Sequence, residues 1–129
     1  MERFGEFELI APLAQGGMAE LHRARHTPTG HEVVVKRLLP AMEKREDIVD
    51  LFLTEADVGA LLNHEHIVSV LDAGEAEGRY YIAMEFIDGC DAEQILSDAW
   101  ARKVEIPPAI ICRIGVDALR GLHHAHTLR

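Results

Sequence analysis

VVVKRLLPAMEKREDIVDLFLTEADVGALL, Val33–Leu62, decides how this chain folds. HEVVVKRLL reads as a strand, because three consecutive β-branched valines suit a pleated, covered surface, and Pro40 ends it. From Glu43 to Leu62 the period changes to that of a helix, with Ile48, Leu51, Phe52, Gly59 and Leu62 at three- and four-residue spacings. One charged residue in each pattern needs explaining. Lys36 shares the face of Val34, while Val33 and Val35 point the other way. Glu55 falls four residues after Leu51 and three after Phe52, on the apolar side of its helix, whereas Asp57 points elsewhere. A carboxylate there is costly to bury unless a cation meets it, and Lys36, 19 residues upstream, is the candidate. The plainer alternatives are a lysine reaching water from a strand edge and a glutamate solvated at the margin of the stripe.

Working outward, FELIAPL (Phe7–Leu13) and AELHRARH (Ala19–His26) form a hairpin around AQGGM, and Thr27–Gly30 is a turn. HIVSVLDAG and RYYIAMEFI read as two more strands joined by a turn in AGEAEGR. A short helix is expected from Asp91 to about Ala101. A long one opens at Pro107-Pro108, with Ile111, Ile114, Ala118, Leu122 and Ala125 on an apolar stripe. The order predicts an α+β fold with a mainly antiparallel sheet. The Gly16-Gly17 pair is open to two readings, an ordinary hairpin turn or a backbone able to approach a phosphate closely.

Composition narrows the function classes. The 129 residues allow one domain with a real core, and aromatics at 5% leave that core to Val, Ile, Leu and Ala. A net charge of −9 argues against nucleic acid and anionic membrane surfaces as partners. No apolar run approaches membrane-spanning length, and the N-terminus lacks a basic-then-apolar signal. Cys90 and Cys112 belong to no CxxC pair, so a reducing, cytoplasmic setting is expected. The histidines offer a rival site: His123 and His126 share a helix face, and His64 and His66 flank Glu65. No third ligand has a fixed relation to them, so solvated or helix-ending histidines are the simpler reading.

The order of features is more specific than any one of them. LAQGGMAEL, VVVKRLL, FLTEADVGALLNHEHIV, VLDAG, YYIAMEFIDG and ALRGLHHAH together resemble the N-terminal lobe of eukaryotic-type protein kinases, most closely the bacterial Ser/Thr kinases. The resemblance implies a five-stranded antiparallel sheet with one major helix, followed by two helices of an incomplete C-lobe. The lobe and hinge would occupy residues 1–87, and the start of the C-lobe residues 88–129. It also implies that ATP, with Mg2+, is the cofactor and that the complete protein phosphorylates protein Ser/Thr. Lys36 matches the lysine that holds the α- and β-phosphates, and Glu55 the glutamate that orients it, the two forming the catalytic pair. Leu13, Ala14, Gln15, Gly16, Gly17, Met18, Ala19, Glu20 and Leu21 match the loop that covers the nucleotide. Val34 matches the roof of the adenine site, and Met84 its back. Glu85, Phe86 and Ile87 match the hinge, and Asp91 an acidic position that often meets the ribose.

Three departures bear on these implications. Ala14 and Ala19 stand where the family has glycine, which restricts φ and adds methyl groups near the phosphates. Val34 stands where alanine is usual. No HRD or DFG segment follows before Arg129, so the catalytic base and metal ligands are absent from these residues, and truncation on the C-terminal side is the simplest expectation. The chain alone is then expected to be inactive, and its residue 107–129 helix to expose an apolar face and self-associate. The competing reading is a pseudokinase-like module that binds a nucleotide or a partner without transferring phosphate.

Overall fold

The computed structural model describes residues 2–128. They form six strands and three helices: β1 (Glu2–Phe4), β2 (Phe7–Gln15), β3 (Ala19–His26), β4 (Glu32–Leu38), α1 (Glu46–Leu61), β5 (Val70–Ala76), β6 (Arg79–Glu85), α2 (Ala92–Arg102) and α3 (Pro108–Thr127). The strands make one antiparallel sheet in the order β1-β2-β3-β4-β6-β5. The sheet therefore has six strands rather than five. The extra one, β1, is too short to carry a periodic signal, and it pairs with β2 through a two-residue turn at Gly5 and Glu6. Gly5 has φ +55°, the left-handed conformation that glycine adopts without strain.

The chain divides into two compact units. The first holds the chain up to Asn63 together with Val68–Phe86, and the second holds His64–Ile67 and everything from Ile87 onward.

In the first unit the sheet curls until its ends meet. Phe4 of β1 and Phe7 of β2 pack edge-on against Tyr81 of β6, with ring centroids 5.7 and 5.3 Å apart, although three strands of the sheet order separate β1 from β6. Curling gives the sheet a concave face, filled by Phe4, Phe7, Leu9, Ala24, Val33, Val35 and Ala83. The opposite face carries α1, where Phe52 and Ala56 pack on Leu38 and Ile82. β4 is covered on both sides, which is why its valines run consecutively rather than alternate. α1 approaches β5 at Gly59, where a Cβ would lie 2.5 Å from Val70 Cγ2, so only glycine admits this contact.

Several boundaries differ from the sequence reading, β5 beginning at Val70 rather than His66 and β6 ending at Glu85 rather than Ile87. α1 begins at Glu46 rather than Glu43, with Glu46 and Asp47 in its first turn, where the helix dipole favours acids. Residues 41–44 form turns instead. β5 and β6 continue almost to their junction, leaving only Glu77 and Gly78 to turn the chain rather than the whole of AGEAEGR. Both have positive φ, 51° and 74°, the combination that matches the twist of a two-residue hairpin.

In the second unit α2 is capped by Asp91, whose Oδ1 accepts the Gln94 backbone N–H at 2.8 Å. α3 meets the His64–Ile67 segment along Asp117, Gly121 and His124, not along its apolar stripe. Gly121 is buried, and a Cβ there would come within 3.1 Å of His66 O. Ile111, Ile114 and Leu122 of the stripe are exposed, as is Leu119.

Candidate functional site

The chemistry gathers on the helix face of the first unit. β3 and β4 place Leu21 opposite Lys36, and Lys36 opposite Ile82, so the lysine projects toward α1. There Nζ donates to both carboxylate oxygens of Glu55, at 2.8 and 3.0 Å. It also lies 5.9 Å from the centroid of the Phe52 ring. Glu55 is half-exposed, so it sits at the margin of the helix stripe and meets the lysine as well. Both sequence readings of Glu55 hold part of the answer, because a margin position lets the carboxylate keep water while it holds the cation.

A cavity of about 310 Å³ opens beside this pair. Ala14, Gly16, Gly17, Met18, Ala19 and Leu21 line it from the β2–β3 hairpin, and Leu38, Ile48, Leu51 and Phe52 complete its wall with Lys36 and Glu55. The hairpin tip is held at two points: Gly16 N–H donates to Ala19 O, and Leu39 N–H donates to Met18 O, both at 2.9 Å. Among the described residues positive φ occurs only at Gly5, Gly30, Glu77, Gly78 and Lys103, so neither Gly16 nor Gly17 uses the left-handed region. Their contribution is the missing side chain, and a Cβ at Gly17 would meet nothing within 4 Å. Ala14 and Ala19 lie in strands, where alanine adopts the backbone without strain.

Not every loop residue faces the cavity. Register irregularities in β2 between Leu9 and Ala11, and again between Pro12 and Ala14, turn Ala14 to the helix face and Gln15 to the concave face. Leu13, Gln15 and Glu20 line a separate depression with Pro12 and His22. The Glu20 carboxylate is held by Arg37 at 2.7 Å and by Arg79 and His22, each at 3.3 Å. Burial pushes its carboxyl up, but Arg37, His22 and Arg79 outweigh this and hold it below its ordinary value. Sequence reasoning missed this cluster, since Arg37 looked like any charge after a strand lysine. It is 5% exposed.

Val34 is buried and stands in register between Arg23 and Met84. Met84 packs against the cluster of Leu38, Phe52, Ala56 and Ile82. Glu85 is tied to Ser69 twice, its N–H donating to Ser69 O at 3.0 Å and its Oε1 accepting the Ser69 N–H at 2.9 Å. The Phe86 ring lies 5.0 Å beneath the Arg23 guanidinium. Ile87 and Asp91 belong to the second unit, where Ile87 is exposed and Asp91 caps α2. Among the described residues no group of three or more His, Cys, Asp or Glu could hold a metal ion. His64 does approach His66 and His124, with ring centroids 5.4 and 5.2 Å apart. His66 Nε2 lies 3.3 Å from Asp117 Oδ1, close enough for attraction but without hydrogen-bond alignment.

A lysine bound to a helix carboxylate beneath a glycine-bearing hairpin is the arrangement the sequence resemblance anticipated. Residues 7–129 match the family described as protein kinase domain. The chain belongs to the protein kinase family. Tyrosine-protein kinase MasK of Myxococcus xanthus (strain DK1622) is 40% identical to it over 129 residues, covering 98% of this chain and 20% of that protein. Serine/threonine-protein kinase PknF of Mycobacterium tuberculosis (strain ATCC 25618 / H37Rv) is 32% identical over 126 residues, covering 98% of the chain and 26% of the relative. The crystal structure of the Mycobacterium tuberculosis PknI kinase domain superposes with a TM-score of 0.78 at 30% identity, over 97% of this chain and 50% of that one. The kinase chain thus has the fold of a bacterial eukaryotic-type kinase, and it spans between 20% and 26% of these two curated relatives. No helix among the described residues is long and apolar enough to cross a membrane.

Proposed function

We propose that these residues are the ATP-binding portion of a kinase that phosphorylates protein serine and threonine. The observation that carries the reading is the Lys36–Glu55 ion pair at a cavity roofed by the Gly16-Gly17 hairpin. The site suits a nucleotide triphosphate on its own chemistry. It offers one fixed cation, backbone without a side chain at Gly17, and apolar walls at Leu21 and Leu38. Lys36 would hold phosphate oxygens, and Glu55 keeps its ammonium in place. Residues 14–19 would cover the phosphates, and Val34 and Met84 would border the base with Glu85 and Phe86. Mg-ATP supplies the transferable phosphoryl group. A protein hydroxyl would receive it in a kinase that also provides the catalytic base and metal ligands, which lie outside these residues.

Serine/threonine specificity rests on relatives such as PknF, and tyrosine specificity, named for MasK, is the alternative outcome. The test is phosphotransfer by the intact kinase to serine-, threonine- and tyrosine-containing peptides, with Lys36→Met alongside. Wild-type transfer by Lys36→Met would sink the assignment. A cytoplasmic setting is proposed for these residues, from the two unpaired cysteines. For the isolated chain we also expect concentration-dependent association through exposed Ile111, Ile114, Leu119 and Leu122. A monomer in sedimentation at high concentration contradicts that.

A further inference from the structure

Lys36 and Glu55 lie on the helix face of the sheet, but the hairpin above them is anchored from the concave face. Glu20 is the second residue of the strand that returns from the glycine-bearing tip, directly after Ala19, whose carbonyl closes that tip. Its Oε1 receives Arg37 Nε at 3.0 Å and Nη2 at 2.7 Å, and Arg79 Nη2 at 3.3 Å. His22 Nε2 stands 3.3 Å from the same oxygen. Each cation is itself fixed elsewhere. Arg37 Nη1 donates to Glu2 Oε2 at 3.0 Å, and its guanidinium lies 4.9 Å over the Phe4 ring. Arg79 Nη2 donates to Leu38 O at 2.6 Å, while Arg79 Nε is 3.8 Å from Glu43, whose Oε1 accepts the Tyr80 N–H at 3.1 Å.

The cluster thus joins five places in the chain: β1, the start of β3, the end of β4, the start of β6 and the segment before α1. Arg37 follows Lys36 directly, so opposite sides of one strand carry the phosphate-site cation and the clamp on the loop. A side chain as buried as that of Arg37 does not leave a charged partner without a large cost. The clamp is therefore stiff where exposed ion pairs are not.

We propose that Glu20, Arg37 and Arg79 are positioning residues for the glycine-bearing loop, holding its height above Lys36 from the far side of the sheet. The proposal rests on the nucleotide-binding reading above, and it reassigns Glu20 from covering the nucleotide to bracing the strand behind it. Charge complementarity, with one carboxylate oxygen shared by two guanidiniums, makes the three residues act as a unit.

The experiment compares Glu20→Gln with Glu32→Gln in the intact kinase. Glu32 makes an equally short ion pair, to Arg23 at 2.8 Å, at the far end of the same two strands. Amide exchange is followed at Gly16 and Leu39, the two N–H groups that hold the tip, without nucleotide. Binding of a fluorescent ATP analogue is measured separately. Glu20→Gln is expected to speed exchange at both amides and to weaken nucleotide binding, each about tenfold, while Glu32→Gln changes neither. Unchanged exchange in Glu20→Gln overturns the proposal, as does faster exchange with unchanged nucleotide affinity. Equal effects of both variants overturn it too, by showing a general loss of sheet stability. Arg79→Met added to Glu20→Gln should cost little more, because the unit is already broken, and additive losses also count against it. If the wild-type kinase binds no nucleotide, the function proposed above fails, and the exchange comparison still decides whether Glu20 anchors the loop.

Discussion

Lys36 Nζ stands 2.8 and 3.0 Å from the two carboxylate oxygens of Glu55, which lies 19 residues further along the chain on a different element. A strand with one lysine on the helix face and a helix with one acid on its apolar margin meet at this contact. Half-exposure of the glutamate leaves the pair weak as a support for the fold and accessible as a site for anionic ligands.

Lys36→Met should therefore separate the two roles. An ion pair with this exposure contributes about 1 kcal/mol or less to stability. Urea unfolding of the variant is expected to stay within that margin, whereas ATP affinity of the intact kinase falls at least about tenfold through loss of a charge-assisted contact. A large stability loss would make the pair structural.

Gly59→Ala is expected to destabilise the chain despite alanine being the better helix former. The propensity gain is about 1 kcal/mol. Against it stands a methyl group 2.5 Å from Val70 Cγ2, and overpacking of that kind costs about 1–3 kcal/mol. Combining it with Val70→Ala should cost less than the two changes summed, which paired unfolding curves will reveal.

Tyr81 is pushed up from 10.0 to about 12, first by burial, then by the hydrogen bond it donates to Asp72 Oδ2 at 3.1 Å and by the charges of Asp72 and Glu6. The fold favours the neutral phenol, so its stabilising effect is complete below pH 10 and is lost as pH rises through about 12. Phenolate absorbance in a Tyr80→Phe background should titrate late. Asp72→Asn should bring the transition down only partway, since burial remains.

Glu20 works in the opposite direction. Its carboxyl lies below its ordinary 4.5, despite burial, because Arg37, His22 and Arg79 favour the anion. The stability it contributes is present above pH 4.5 and disappears as pH falls through the lowered value. Unfolding midpoints of wild type and Glu20→Gln should differ at neutral pH and converge in acid. A constant gap would show that the carboxylate charge is irrelevant.

Much of this was legible along the chain. Val33–Val35 announced a strand, and the Lys36 and Glu55 positions followed from periods of two and 3.6 residues. The two tight hairpins were harder. β1 has three residues, and the Glu77-Gly78 turn is shorter than its polar surroundings suggested. The face of Gln15 was out of reach for another reason. Alternation reliably assigns sides only in an unbroken strand, and β2 is broken twice by register shifts, of which only the one at Pro12 leaves a mark in residue type. On α3 the sequence reading expected an exposed apolar face, and Ile111, Ile114 and Leu122 are exposed. The residues that make contact are instead Asp117, Gly121 and His124, because absence of a side chain at Gly121 lets His66 O come close.

By itself, then, the order of residues determined five of the six strands, the helices and the family, because hydrophobic period and glycine placement are local properties that neighbours along the chain express together. Beyond the Lys36–Glu55 pair, tertiary structure alone decided which charges meet. Curling of the sheet brings Glu2, Glu20, Arg37 and Arg79 from four strands into one cluster and leaves Lys36 and Glu55 on the other face. Coulomb attraction of this kind depends on distance in space, and separation along the sequence does not report it.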